Sequence, residues 1–258
     1  MAETRQGMQV HWGGEHRDVD KSDVQTLWSE KGLGGMSEEE AERTMRSQMQ
    51  LVTYELTLDF LSRYVERAPG RRALEVGCGW GRIFMGMKSR FPDLEYTGID
   101  LTPNLVDLAG RNAEKYEIAP PYDHRVGDAE DLQFDDESFD LAYSVRVFQY
   151  VPNVPRAMRE AYRVLRPGGW FAILLPNGLN PIRRRTYRKA ELPPAGSMRQ
   201  WFTDAGFEQV ETNFLGFMPM VRTRPIRPLD RLAEAAGRLP GLRRFGVHVI
   251  VAGRKPSK

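Results

Sequence analysis

The sequence predicts a doubly wound α/β fold, in which a mostly parallel sheet of seven strands carries helices on both faces. From residue 72 onward, short apolar runs alternate with amphipathic segments, which is the pattern of a parallel sheet wrapped by helices. A glycine-rich turn, residues 77–81, joins the first run to the helical segment after it. Acidic residues follow the second and third runs. Ligands bind such folds at the carboxyl ends of the strands, where this turn and these acids fall.

The strands are predicted from apolar runs bounded by turn residues. In chain order they are 73–76, 94–100, 124–126, 139–145, 170–175, 208–214 and 246–252. Helical spacing of apolar residues predicts helices over 82–91, 102–116, 154–165 and 197–205. Thr102 is expected to cap the second of these helices, with Pro103 at its first position. A turn at 167–169 is expected to lead into the fifth strand.

Segments outside this alternation predict additions to the sheet. Residues 1–36 have little periodicity and are expected to form an arm, docked by Trp12 and Trp28. A capping-box pattern at Ser37 begins a helix whose apolar stripe runs to Phe60. We therefore divide the chain into an N-terminal arm and helix on the substrate side (1–70) and a main domain (71–258). Within the main domain, 176–245 is expected to hold a substrate-side loop and a helical insertion at 229–236.

Composition is that of an ordinary soluble domain, with 41% hydrophobic and 28% charged residues. No apolar run reaches the length of a membrane span, and no signal-peptide pattern begins the chain. The single cysteine, Cys78, excludes an internal disulfide and a cysteine-based metal site. These features predict a cytoplasmic protein without a metal.

Charge is unevenly distributed although the net charge is only +2. Residues 181–258 hold 16 Lys/Arg and 6 Asp/Glu, whereas residues 1–180 hold 21 and 29. A solvated arginine-rich surface explains this, as would an acidic substrate, a nucleic acid or an anionic membrane surface. A basic run at 181–185 lacks the interleaved aromatic residues of a groove that stacks bases. We therefore expect a small-molecule or amphipathic substrate rather than nucleic acid, and peripheral contact with a membrane stays open.

Three acids mark the predicted ligand edge of the sheet. Glu75 directly precedes the glycine turn, where we expect its carboxylate to face a ligand. Asp100 ends the second strand, 23 residues after Gly77, where a carboxylate can accept both hydroxyls of a ribose. Asp128 ends the third strand and is placed for an exocyclic amine or an adenine edge.

In these motifs the chain resembles the class I S-adenosylmethionine-dependent methyltransferases that act on small molecules and lipids. Residues 75–81 (EVGCGWG) are similar to the family's acid-x-G-x-G-x-G loop, Asp100 to its ribose-binding acid and 127–129 (GDA) to its adenine-binding turn. Residues 138–144 resemble its fourth strand and 163–169 the turn before its fifth. The similarity is strong over about 70–175 and extends weakly to 215.

The resemblance implies S-adenosyl-L-methionine as the cofactor and methyl transfer by in-line displacement. It implies cofactor contacts from Glu75, Gly77, Cys78, Gly79, Gly81, Asp100, Leu101, Asp128, Ala129, Glu130 and Ser144. Among these, Asp100 suits the ribose, Asp128 the adenine and Glu75 the ammonium group of the donor. Positioning is the main task of such an enzyme, since holding the reacting atoms together can contribute ~7–11 kcal/mol.

Tyr150 stands where many members of this family carry a histidine after the fourth strand. Because a tyrosine has an ordinary pKa near ~10, it is a poor base at neutral pH. We assign Tyr150 as the candidate catalytic residue through hydrogen bonding or ring stacking, with half-buried packing as the alternative. His11 and His16 lie in the arm, so a base from there stays open, whereas no motif places His124 or His248 at the methyl group.

Two other functions share parts of this pattern. A nicotinamide-dependent oxidoreductase would need a glycine where the chain has Arg82, and it would not explain Asp128. A non-catalytic protein with the same fold is the second alternative, motivated by the missing histidine. The sequence leaves open the acceptor, the choice among O-, N- and C-methylation, the general base and the oligomeric state.

Overall fold

The structure is a computed structural model of the 258-residue chain, and it describes residues 21–26, 29, 43, 52–180, 192–216 and 241–257. Several predictions from the sequence lie outside the described residues. They are the docking of Trp12 and Trp28, the helix start at Ser37, the basic run at 181–185 and the helical insertion at 229–236.

Six α-helices and seven strands make up the described part of the chain. The helices are α1 (Lys21–Thr26), α2 (Val52–Arg67), α3 (Arg82–Arg90), α4 (Pro103–Lys115), α5 (Val154–Val164) and α6 (Ala195–Asp204). The strands are β1 (Arg72–Val76), β2 (Glu95–Asp100), β3 (Tyr122–Val126), β4 (Phe139–Val145), β5 (Leu165–Pro176), β6 (Glu208–Leu215) and β7 (His248–Arg254). Single 3₁₀ turns follow β4 (Phe148–Tyr150) and precede β7 (Arg243–Phe245).

The strands form one sheet in the order β3-β2-β1-β4-β5-β7-β6. Strands β1 to β5 pair in parallel, and β7 pairs antiparallel with both β5 and β6. The predicted fold class, a mostly parallel sheet of seven strands, is confirmed. The chain moves outward from β1 to β3 and returns to β4 on the other side of β1. This reversal creates a crevice at the carboxyl ends of β1 and β4, the usual ligand position in open α/β sheets.

Two apolar layers hold helices against the faces of the sheet. Helices α2, α3 and α4 pack on one face through residues that include Leu58, Phe84 and Leu105. Helices α5 and α6 cover the other face, with Met158 and Phe202 fully buried. The apolar stripes read from the sequence therefore become the two cores that fix where each strand ends. Among the described residues, no helix is long and apolar enough to cross a membrane.

Strand β5 differs from its prediction because it begins at Leu165 rather than at Trp170. Its pairing with β4 shifts from Phe139↔Leu165 to Leu141↔Trp170, so three extra residues of β5 bulge out of the ladder. The predicted turn at 167–169 is this bulge, and Gly168 there has a φ of +81°. Glycine permits that left-handed backbone without strain, which lets the strand resume its pairing after the irregularity.

Candidate active site

The glycine loop connects β1 to α3 with three left-handed residues, Gly77, Gly79 and Gly81, at φ values of +81°, +53° and +86°. Gly77 is held by close packing, because a Cβ placed there would lie 2.2 Å from Cγ2 of Val147. Gly79 differs, since a Cβ placed there would have no heavy atom of the described residues within 4 Å, apart from its chain neighbours. In the described part of the chain, the loop thus has one packed side and one open side, and Gly79 borders the open side.

Most amide groups of this loop are already bonded within the protein. The N–H groups of Gly77 and Cys78 donate to the Ile99 carbonyl at 2.7 and 2.8 Å. That of Gly79 donates to Asp100 Oδ2, and that of Gly81 to the Cys78 carbonyl. These hydrogen bonds fix the shape of the loop. They also mean that side chains around the loop must supply much of the polar contact to a ligand.

Asp100 ties the end of β2 to the glycine loop. Its Oδ2 accepts from Gly79 N at 2.9 Å and its Oδ1 from Thr102 N at 3.0 Å. Burial raises the pKa of this carboxyl group, and the hydrogen bonds from Thr102 and Gly79 oppose that rise. Thr102 occupies the N-cap of α4 with a proline in the first turn, as predicted, but its side chain makes no cap hydrogen bond. The position of the cap is therefore confirmed, and the side chain does not satisfy the free N–H groups of the helix.

Glu75 lies at the end of β1 with only 1% of its surface exposed. Tyr96 donates its hydroxyl to Glu75 Oε2 at 2.8 Å, and the Tyr143 hydroxyl lies 3.5 Å from the same oxygen. Burial raises the pKa of Glu75 to about 8, partly opposed by Tyr96 and by the charge of Arg82. The carboxyl group therefore keeps its proton at neutral pH, a state that the residue pattern of β1 does not predict.

The remaining loop-facing residues are buried and engaged. Ser144 donates its hydroxyl to the Val76 carbonyl at 2.8 Å and joins β4 to β1. Cys78 is buried, and burial raises the pKa of its thiol, which is the condition of an unreactive structural cysteine. Whether Ser144 and Cys78 also contact a cofactor stays a prediction.

Helix α1 lies on the acidic turn after β3. Lys21 Nζ is 2.5 Å from Asp128 Oδ2 and 2.9 Å from Glu130 Oε2. Gln25 Nε2 donates to the Leu101 carbonyl at 3.1 Å, so α1 spans the ends of β2 and β3. The predicted adenine-side residues, which include Ala129, are thus brought together, and α1 covers them. No periodicity in the sequence predicts this contact.

Tyr150 lies in the 3₁₀ turn after β4, half-buried, and its amide donates to the Val147 carbonyl at 2.7 Å. Beside it, Gln149 is 5% exposed, and its Oε1 has no donor among the described residues. His124 packs edge-on against Phe84 inside the domain, where burial lowers its pKa to about 4. His248 is buried in β7. Because β4 pairs with β1, the turn that follows β4 and carries Tyr150 lies near the glycine loop that follows β1. The catalytic role of Tyr150 stays a prediction.

Two arginines lie beside the site, although no ligand role was predicted for them from the sequence. Arg82 begins α3 directly after Gly81, and Arg146 follows β4 with a left-handed φ of +63°. Non-glycine residues seldom adopt such a backbone. Their positions beside the glycine turn and a strand end were the only signal in the sequence.

Known proteins share this domain and its fold. Residues 74–173 match the family described as "Methyltransferase domain". The chain is 32% identical over 169 residues to a probable phthiotriol/phenolphthiotriol dimycocerosates methyltransferase of Mycobacterium ulcerans, covering 66% of this chain and 62% of the relative. A second such methyltransferase, of Mycobacterium leprae, is 33% identical over 52% of this chain and 43% of its own length. The chain thus spans less than two thirds of the length of these curated relatives.

A solved structure is similar over nearly the whole chain. Phosphoethanolamine N-methyltransferase 2 of Haemonchus contortus, in complex with phosphomonomethylethanolamine and S-adenosylhomocysteine, has a TM-score of 0.65 and 19% identity. The match covers 92% of this chain and 60% of that one. At this identity the likeness concerns the fold alone.

Proposed function

We propose that this chain is a class I S-adenosylmethionine-dependent methyltransferase, to which its methyltransferase-domain match and its curated relatives point, and that it transfers a methyl group from S-adenosyl-L-methionine to a small or lipid-like acceptor. The proposal rests on one observation, namely that the Asp100 carboxylate lies beside the open side of the glycine loop. The Asp100 carboxylate is held at Gly79. Among the described residues, apart from Gly79 and its chain neighbours, no heavy atom lies within 4 Å of the position that a Cβ of Gly79 would take. A ligand with a ribose fits a fixed carboxylate beside open space.

The other parts of the donor also have chemically suitable neighbours. The turn formed by Asp128, Ala129 and Glu130 offers carboxylate oxygens to an amino group on an adenine edge. Glu75 is buried and holds its proton at neutral pH, with Tyr96 and Tyr143 close to one of its oxygens, so we expect it to meet an ammonium group as a hydrogen-bond acceptor and not as a charge. The residues present therefore fit S-adenosylmethionine in kind.

The donor supplies an electrophilic methyl group when bound, and the protein's contribution is to bind and orient the two reactants. The bonds of the loop to Ile99 and Asp100 keep the donor side rigid. Val147 packs on Gly77, which sets the 3₁₀ turn carrying Tyr150 beside the same loop. We propose that Tyr150 orients an acceptor from that turn by a hydrogen bond or by its ring, and a base is needed only if the acceptor atom begins protonated.

We propose a small or amphipathic acceptor, in keeping with relatives that are named phthiotriol/phenolphthiotriol dimycocerosates methyltransferases. Residues 1–70 and 176–245 are proposed to shape its binding site, since the family match is confined to 74–173. Profiling with isotopically labelled donor against a metabolite and lipid extract, followed by mass spectrometry, would identify the product. Transfer of the label to no component, by a protein that binds the donor, would favour a non-catalytic role.

Calorimetry tests the donor assignment directly. We expect micromolar binding of S-adenosylmethionine and no binding of a nicotinamide dinucleotide, and the reverse result would end the proposal. Asp100→Ala removes the ribose acceptor and should weaken donor binding at least tenfold, since a hydrogen bond to a charged group contributes about 1.5–3 kcal/mol. Asp107→Ala, an exposed acid on α4, is the matched control. An Asp100→Ala protein that remains folded and binds as the wild type does would remove Asp100 from the site.

A further inference from the structure

Arg82 and Arg146 flank the glycine loop from two elements. Arg82 follows Gly81 at the start of α3; its carbonyl accepts from the Tyr54 hydroxyl at 3.2 Å, and its guanidinium carbon lies 5.5 Å from the Tyr54 ring centre. Arg146 follows β4, which pairs directly with β1. The next residue, Val147, contacts Gly77. Both arginines therefore stand at the crevice where the chain reverses direction.

Neither side chain has an anionic partner among the described residues. No salt bridge and no hydrogen bond from either guanidinium group occurs in that part of the chain, although both side chains are half-buried. Other arginines differ, since Arg67, Arg90 and Arg163 each bind a carboxylate at 2.7–2.8 Å. A guanidinium group has five N–H donors in a planar fork that matches carboxylate and phosphate. The two arginines thus present unused donors at the site.

The positive charges at this point are not neutralised. Burial lowers the pKa of Arg82 to about 9, and electrostatic repulsion by Arg146 adds to this effect. Glu75 is the nearby acid, but it holds its proton at neutral pH because burial raises its pKa to about 8. Arg146 also keeps a left-handed backbone that is unfavourable for its type. Two half-buried cations in such an arrangement would gain from a bound anion.

We propose that Arg82 and Arg146 form an anion subsite beside the glycine loop that takes a carboxylate or phosphate group. The subsite deepens the proposed function and rests on it for the identity of its ligand. Two reactants can supply the anion, namely the α-carboxylate of the donor and an acidic group on the acceptor. In either case the guanidinium forks would fix one reactant against the loop by paired hydrogen bonds.

Two variants test the subsite with little risk to folding. Arg146→Asn removes the charge and tolerates the left-handed backbone better than most residues do, and Arg82→Gln keeps the aliphatic stem. Arg159→Gln, at an exposed position on α5, controls for the loss of one positive charge. Calorimetry would compare S-adenosylhomocysteine, which has the carboxylate, with 5′-methylthioadenosine, which lacks the amino acid end. Inorganic phosphate would be titrated into the free protein and into the protein saturated with S-adenosylhomocysteine.

If the donor supplies the anion, both variants lose at least tenfold in affinity for S-adenosylhomocysteine while 5′-methylthioadenosine binds within about twofold of wild type. If the acceptor supplies it, both nucleosides bind normally, and wild-type protein saturated with S-adenosylhomocysteine binds phosphate whereas the variants do not. The control should follow wild type throughout. Melting temperatures of the free variants should equal or exceed that of wild type, because one of two repelling cations is gone.

Three results would overturn the subsite. They are variants that bind all three probes as wild type does, phosphate binding that Arg159→Gln weakens equally, and free variants that melt at clearly lower temperature because the arginines are structural. Failure of the proposed function looks different, since wild type itself would then bind neither nucleoside. In that event the phosphate titration of the free protein still decides the subsite.

Discussion

Replacing Glu75 by glutamine should abolish the pH dependence that this residue gives to folding. The native pKa of about 8 stands against an ordinary value of 4.5, so the folded protein holds a proton that the unfolded chain releases between these values. Its contribution to stability is therefore complete below pH 4.5 and falls as the pH rises through 8. The rise in pKa corresponds to about 5 kcal/mol over that window. Glutamine has the same shape, can accept from Tyr96 and carries no charge at any pH.

Urea unfolding followed by tryptophan fluorescence would measure this difference at pH 5.5, 7 and 8.5. We expect the stability of Glu75→Gln relative to wild type to increase by several kcal/mol from pH 5.5 to pH 8.5. Glu95→Gln, an exposed acid on β2 that pairs with Arg72, should show no such increase. A difference between Glu75→Gln and wild type that stays within about 1 kcal/mol across the range would refute the buried, protonated state.

The loop and its neighbours give three further predictions. Gly77→Ala should lower the free energy of unfolding in urea by at least about 2 kcal/mol, because its Cβ collides with Val147. Gly79→Ala should lower it by only ~1 kcal/mol, for its left-handed backbone, and should instead weaken donor binding. Equal losses of stability and of donor affinity in the two variants would contradict this difference. Lys21→Ala should tighten donor binding by up to about fivefold in calorimetry, since an ion pair near the surface such as that with Asp128 contributes about 0.2–1 kcal/mol. Weaker binding would show that α1 supports the donor. Tyr150→Phe should lower the methyl-transfer rate while donor affinity stays within twofold, and an unchanged rate would assign Tyr150 to packing.

The sheet and the ligand edge could be predicted because each rests on local pattern. Apolar runs and their turn residues set the strands, and β4 lies at the residues expected. Parallel strands then bring the residues at their carboxyl ends to one edge, so Asp100 and Asp128 could be placed together before any distance was known.

The features of the site that could not be predicted from the sequence depend on contacts between segments that are distant in the chain. Lys21 reaches Asp128 across 107 residues, and no periodicity encodes such a contact. The proton on Glu75 depends on complete burial between Tyr96 and Tyr143, which a strand pattern does not show. Thr102 lies at the predicted cap position, but its side chain makes no cap hydrogen bond, a detail of side-chain orientation that the residue type alone does not determine.

The packing of Val147 on Gly77 limits how independently the two halves of the site can change. A shift of the 3₁₀ turn to suit a different acceptor would press on, or withdraw from, the loop proposed to hold the donor. Substitutions that redesign acceptor choice at 147–150 should therefore carry a penalty in donor affinity unless Gly77 has room to adjust. Diversification of substrate should be easier in the helices and loops that border the crevice from outside.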